Sequence, residues 1–278
     1  MPIEDQIDGN TIGEFSMNEV VREKVIENVI EKKRYTGLDC FRGMVLISMV
    51  LFHTTWDLVY LFGVEWEWFL TEAARIWQQS ICWSFILLSG FCWRFGKQPW
   101  KRGLLVFCAG ALITIVTKLF MPTEIVFFGV LTLLGSCMIL LIPLNKMLKN
   151  WNPVLSLILF FVLFVVTRNV NYGYLGFEQW NWLALPKEWY ANWFTTYLGF
   201  MHPGFFSTDY FSLIPWLFLF ITGYFLELLF EKYQWLDVLC VSKNSWLEWL
   251  GRHSLVIYML HQPMVYGVLW LLHLCALI

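Results

Sequence analysis

Residues 38–62 read LDCFRGMVLISMVLFHTTWDLVYLF, an apolar run that nevertheless carries Asp39, Arg42, His53 and Asp57. A membrane span needs about 20 mostly apolar residues, so the stretch reads as a transmembrane helix. Ionisable groups inside such a helix are costly and mark functional positions by default. A helix turns about 100° per residue, which sets Arg42 and His53 within about 20° of each other. The rise of about 1.5 Å per residue separates them by roughly 16 Å along the axis. One polar stripe therefore runs from the inner boundary of the membrane towards its outer half.

The composition leaves little room for a soluble protein. The chain is 58% hydrophobic, 19% aromatic and 14% charged, with a mean hydropathy of +0.58. That pattern describes an all-α polytopic membrane protein. The 17 tryptophans suit interfacial belts and a lipid-facing surface. A pI of 6.2 and the lack of a basic stripe exclude nucleic acid as a partner. The cysteines form no CxxC pair, so they read as small packing residues with no metal among them.

Seven spans follow, at about 38–62, 76–95, 103–120, 125–142, 153–168, 211–230 and 254–277, with breaks at Pro122, Pro143 and Pro153. With the N-terminus cytoplasmic, the inner segments gather Arg22, Lys24, Lys32, Lys33, Arg34, Arg42, Arg94, Lys97, Lys101, Arg102, Lys146, Lys149, Lys232, Lys243 and Arg252. The outer side keeps Arg75, Lys118, Arg168 and Lys187. This is the asymmetry of the positive-inside rule, and it sets the C-terminus outside the cytoplasm. The expected organisation is a cytoplasmic segment, 1–35, followed by a transmembrane domain, 36–278. The first segment has no apolar core of the kind a signal peptide needs. Val20, Val21, Val25, Ile26, Val29 and Ile30 give it either a surface amphipathic helix or a solvated lead-in. The outer connection, 169–210, is long for a compact bundle and is read as functional or partly folded.

Several residues carry chemistry. Asp57 stands four residues after His53, a spacing at which side chains meet. A carboxylate on one imidazole nitrogen would fix the tautomer and leave the other nitrogen as a general base. The alternative is a histidine satisfied by a neighbouring helix, with Asp57 facing the interface. Arg42, three residues after Asp39, is either a headgroup anchor or, with Lys97, Lys101 and Arg102, an inner anion site for phosphates. In the last span Ser254, Tyr258, His261, Gln262 and Val265 share one face, with Pro263 as the expected kink. They either line the site or join two helices. Gln78, Gln79, Ser84, Ser89 and Gly90 of the second span either line it too or pack closely. The outer connection, with Trp180, Trp182, Trp193, Tyr197, His202 and Asp209, suits either a carbohydrate or an interfacial belt.

The stretch RYTGLDCFRGMVLISMVLFHTTWDLVYLF at 34–62 resembles the first span of the heparan-α-glucosaminide N-acetyltransferase-like family, which includes bacterial members. It is also similar to the opening of the broader transmembrane acyltransferases, where an Asp-x-x-Arg-Gly stretch precedes a histidine. SFILLSGFCWRFGK at 84–97, FFGVLTLLG at 127–135, STDYFSLIPWLFLFITGY at 207–224 and WLGRHSLVIYMLHQP at 249–263 look like the same group, in the same order. The resemblance implies transfer of an acetyl group from cytoplasmic acetyl-CoA to an acceptor on the far side. It makes His53 the catalytic histidine and Asp57 its partner, gives Arg42 the CoA end, and brings Asp209 and His261 to the centre. The lysosomal member has more spans and a luminal part, so its heparan acceptor does not transfer. A histidine expected near Leu131 and Thr132 is missing here.

The expected function is that of a multi-pass acyltransferase of the bacterial plasma membrane, using acetyl-CoA and no metal. His53 and Asp57 would act in catalysis, and Arg42, Asp39, Lys101 and Arg102 would hold the acyl donor. His261, Tyr258, Gln262, Asp209 and Ser84 would line the acceptor side, where a sugar amine or hydroxyl is acetylated. A homodimer is compatible with this reading. The rival is a proton-coupled transporter or channel using His53, Asp57 and His261. A retinal receptor is excluded, because residues 254–277 hold no lysine.

Overall fold

A computed structural model describes residues 35–240 and 244–275. The amphipathic stretch of residues 20–30 and Lys243 lie outside them. The described chain is a helical bundle made of α1 (Thr36–Tyr60), α2 (Glu72–Phe91), α3 (Pro99–Phe120), α4 (Val130–Leu148), α5 (Pro153–Val166), α6 (Trp193–Leu198), α7 (Leu213–Lys232), α8 (Ser245–Arg252) and α9 (Ser254–Leu274). Among the described residues six helical stretches are long and apolar enough to cross a membrane: α1, α3, α4, α5 extended to Tyr172, α7 and α9. The seventh expected span, α2, is as long as α7. Its first turns carry Glu72, Arg75, Gln78 and Gln79, so it is the most polar of the set.

Local chemistry explains the boundaries. Pro99 and Pro153 sit in the first turn of α3 and α5, where a missing N–H costs nothing. The Asn152 side chain accepts from the N–H groups of Val154 and Leu155, and the Thr71 hydroxyl accepts from that of Ala73. Pro122 falls in a short 3-10 turn after α3. Pro143, expected as a break, lies inside α4, which continues to Leu148. One lost backbone hydrogen bond does not end a helix whose flanks are packed by its neighbours. Pro263 is carried inside α9 in the same way.

Direction alternates along the bundle. The starts of α1, α3, α5 and α9 share one end with α8 and the close of α2, α4 and α7; there the Tyr35 and Phe95 rings lie 4.7 Å apart, tilted by 35°. At the Tyr60 end lies the connection between α5 and α7. It holds an antiparallel hairpin, β1 (Tyr174–Phe177) with β2 (Trp180–Ala184), the one departure from an all-helical chain among the described residues. The Thr36 end carries Arg42, Arg94, Lys97, Lys101, Arg102, Lys146, Lys149, Lys232 and Arg252. Arg75, Lys118, Arg168 and Lys187 lie towards the Tyr60 end.

The core sits between α2, α4, α5 and α7, where Ile86, Cys137, Leu141, Phe164, Leu219, Phe220 and Phe225 are fully buried. Lipid is as apolar as leucine, so helices here associate through close fit rather than water exclusion. A Cβ on Gly90 would stand 1.9 Å from the carbonyl oxygen of Phe220, and one on Gly223 would stand 2.1 Å from that of Leu87. These glycines let α2 and α7 touch backbone to backbone. Gly43 and Gly251 do the same for α1 and α8. Around Gly267 of α9, by contrast, no other heavy atom lies within 4 Å of a built Cβ.

Gly90→Val is therefore expected to lower stability in detergent by about 1–3 kcal/mol or more, the usual cost of overpacking. Gly267→Ala should be neutral or slightly stabilising, since it trades a glycine for a better helix former in open space. Thermal unfolding of the two variants checks this, and equal midpoints would remove the close-contact account.

Candidate active site

α9 packs along α1 and brings Gln262 opposite Asp57. Asp57 is fully buried, and its Oδ1 accepts from Gln262 Nε2 at 2.7 Å. Asp57 Oδ2 and Gln262 Oε1 have no hydrogen-bond partner. The expected pairing of Asp57 with His53 on the same helix is thus not formed. The carboxylate is satisfied from across the helix interface instead, by a neutral amide that shares its depth.

His53 faces a second imidazole. Its ring lies 4.8 Å from that of His261, centroid to centroid, with the planes 57° apart. His261 is buried, and its Nδ1 stands 2.6 Å from the backbone oxygen of Tyr258. A carbonyl only accepts, so Nδ1 is the protonated nitrogen and Nε2 keeps its lone pair. That Nε2 is buried and has no partner. Asp57 Oδ2 and Gln262 Oε1 of one bonded pair, and His261 Nε2 of the ring that faces His53, are therefore acceptor atoms that lack a donor. Unsatisfied buried polar atoms are few in folded proteins, and several in one place point to a ligand carrying N–H or O–H groups.

The remaining expected site residues divide. Tyr258 is half-buried and packs between the two main apolar clusters, one turn from His261. Asp209 sits before α7 and caps α4, its Oδ2 accepting from the Val130 N–H at 3.5 Å. Burial lifts its carboxyl to about 6, partly offset by that N–H. It lies within electrostatic reach of Tyr258 and Cys82, so the chain turn before α7 does approach the centre. Ser84 is half-buried on α2 and makes no hydrogen bond among the described residues. Gly90 is a close-packing contact rather than a lining residue.

About three turns from His53, at the Thr36 end, Arg42 is held by three groups. It donates to Asp39 Oδ1 at 3.1 Å, to the Gly251 oxygen at 3.5 Å and to Cys92 Sγ at 3.2 Å. Cys92, read from sequence as packing, is thus a partner of the arginine. Arg102 is within electrostatic reach of Arg42. Its guanidinium lies over Gly96, where a Cβ would collide with Nη1. Lys101 and Lys97 are exposed beside them. Two guanidiniums close together, with Arg102 in no ion pair among the described residues, make a place for an anion.

Sequence reasoning passed over Glu227. It is buried in α7 and bonded to Arg94 at 2.9 Å, and Arg94 also reaches Glu231 at 2.5 Å. Tyr224, one turn earlier, donates to Asn145 Oδ1 at 2.5 Å. A carboxylate inside the apolar run FITGYFLELLF was the available signal. In the connection between α5 and α7, Trp193, Tyr197, His202 and Tyr210 pack with Phe127, Phe128 and Phe205 as an aromatic cluster. Trp180 and Trp182 are exposed.

The sequence profile described as "Heparan-alpha-glucosaminide N-acetyltransferase, catalytic" matches residues 34–263, most of the chain. No curated protein and no solved structure matches the chain significantly. The matched span takes in the whole of α1 and runs through His261 and Gln262 of α9. The chain therefore belongs to the family of heparan-alpha-glucosaminide N-acetyltransferase catalytic domains, and is a multi-pass membrane protein of acyltransferase kind.

Proposed function

We propose that this protein moves an acetyl group from acetyl-CoA, bound at the Thr36 end, to an amine or hydroxyl of a sugar presented at the Tyr60 end. The observation that carries the reading is the set of buried acceptor atoms without a donor on Asp57, Gln262 and His261, the last facing His53, inside a chain of this acetyltransferase family. An acceptor amine or hydroxyl supplies the hydrogens that Asp57 Oδ2, Gln262 Oε1 and His261 Nε2 lack. As its nitrogen or oxygen attacks the acetyl carbonyl, His53 takes the proton, the carbon–sulfur bond breaks, and His53 passes that proton to the departing sulfur so that CoA leaves as the thiol. The alternative order, with His53 briefly carrying the acetyl group, uses the same contacts. Asp57 holds the Gln262 amide in place, and the Tyr258 carbonyl holds the His261 ring, so the acceptor meets fixed groups.

Acetyl-CoA supplies an activated thioester and a phosphate-rich head. Arg42 and Arg102 suit the head, with Lys101 at the rim, while Asp39 and Cys92 orient Arg42. Roughly 16 Å of helix between Arg42 and His53 fits a long carrier arm reaching into the bilayer. The Thr36 end carries most of the cations and is assigned to the cytoplasm by the positive-inside rule. The family's bacterial members support a bacterial plasma membrane as its location.

His53→Ala should reduce acetyl-CoA-dependent thiol release by at least about 100-fold in the purified protein; unchanged release would end the assignment. Arg42→Ala and Arg102→Ala should each raise KM for acetyl-CoA about tenfold or more while kcat changes less, the scale of a lost charge-assisted hydrogen bond. A KM equal to that of the parent would remove the inner site. A cysteine placed at Lys97 should react with an impermeant maleimide only after cells are opened, and one placed at Trp180 in intact cells. The reverse pattern would invert the topology.

A further inference from the structure

A cavity of about 550 Å³ opens at the Tyr60 end between the close of α1, the turn after α3 and the close of α9. Leu61, Phe62, Phe120, Glu124, Tyr266 and Trp270 are among its lining residues. Leu61, which caps the end of α1, follows Asp57 by four residues, and Tyr266 follows Gln262 by four on α9. The cavity therefore begins about 6 Å, one helical turn, outward of the Asp57–Gln262 bond. The Phe62 ring lies 6.0 Å from that of Tyr266, giving the chamber an aromatic wall. The Glu124 side chain makes no ion pair or hydrogen bond with the described residues. The volume falls in the range of small-molecule sites.

The mouth is unusual in where it faces. α3 and α9 are the least buried of the spanning helices and touch each other only slightly. Leu119 and Phe120 on one lip are 71% and 78% exposed, and Trp270 and Leu271 on the other are 49% and 59% exposed. None of the lining residues comes from the connection 167–212. A ligand here has its polar head at membrane-interface depth beside Glu124 and an open apolar seam leading into the bilayer. Only an amphiphile uses both.

We infer that this cavity seats the glycosyl head of a lipid-anchored acceptor, whose tail leaves between α3 and α9. The inference rests on the acyl-transfer reading for the head's chemistry, but the seat itself is read by binding. The aromatic wall offers a face for a sugar ring, and the Glu124 carboxylate accepts from its hydroxyl or amine groups. Entry is sideways from the outer leaflet, and the reactive group then has about two turns of helix, roughly 12 Å, to cross to reach His53.

The test uses the full chain in lipid nanodiscs and a dodecyl β-glucosaminide carrying a diazirine in its alkyl chain. After illumination, adducts should fall on the peptides holding Phe120–Glu124 and Trp270, about tenfold above those from a diazirine phosphatidylcholine of equal chain length. Unlabelled dodecyl glucosaminide should suppress them and methyl glucosaminide should not. Thr123→Trp, at the exposed mouth, should lower the yield about tenfold in protein that remains monodisperse. His53→Ala should leave the yield intact. Equal labelling by phosphatidylcholine, equal competition by methyl glucosaminide, adducts centred on 167–212, or full labelling of folded Thr123→Trp would each overturn the seat. Acetyl transfer is scored separately: labelling without transfer to any sugar would end the acyl-transfer reading and keep the amphiphile seat.

Discussion

The structure of the site depends on one hydrogen bond, from Gln262 of α9 to Asp57 of α1 at 2.7 Å. α9 has little else to hold it: it packs on α1, brushes α3 and joins α8 through His253. Hydrogen bonds between helices in membranes are worth about 0.6–2 kcal/mol each, modest in sum but strongly directional. This one fixes the rotation of α9 about its axis. With Gln262 facing Asp57, the preceding residue, His261, turns its ring towards His53. Remove the bond and α9 is free to roll, taking the second imidazole with it.

The other end of the stripe is organised by a different device. Arg42 is clamped by a carboxylate, a thiol and a carbonyl drawn from α1, the end of α2 and α8. A guanidinium held this way gives up little further freedom when an anion arrives. Arg102 is positioned by space, because Gly96 leaves its guanidinium a place to lie. Between the two ends runs the body of α1, whose His53, Asp57 and Arg42 share one face. The geometry is that of a single helix with a charged foot and an imidazole head.

Much of this was legible in the sequence, and the reasons are physical. Long apolar runs report spans, and all the long helices fall where the runs lie; of the seven spans expected, six are found by length and apolarity among the described residues, because the first turns of α2 are polar. The i, i+4 and i, i+11 spacings along α1 correctly put Arg42, His53 and Asp57 on one side. What spacing does not show is which helix stands opposite. Asp57 found Gln262, and His53 found His261, because α9 closes against α1 across about 200 residues of chain. Periodicity carries no such information. Pro143 misled for a related reason: a proline ends a solvated helix, whereas in a packed bundle the helix continues through it to Leu148. Glu227 was readable by the same rule that singled out His53, and the β-hairpin at 174–184 was hidden in a stretch rich in aromatics.

The α1–α8 seam has a consequence for how this protein can change. A Cβ on Gly251 would meet the carbonyl oxygen and carbon of Asp39, and one on Gly43 would meet the carbonyl of Leu247. The atoms opposite both glycines are main chain, which every amino acid possesses. A bulky residue at either position therefore has no second-site suppressor: no substitution on the partner helix can shrink a backbone. Side-chain contacts elsewhere in the bundle can drift as matched pairs, each loss answered by a gain. This seam cannot, so the helix that supplies Arg42 with a carbonyl keeps one fixed separation from it for as long as the fold is used.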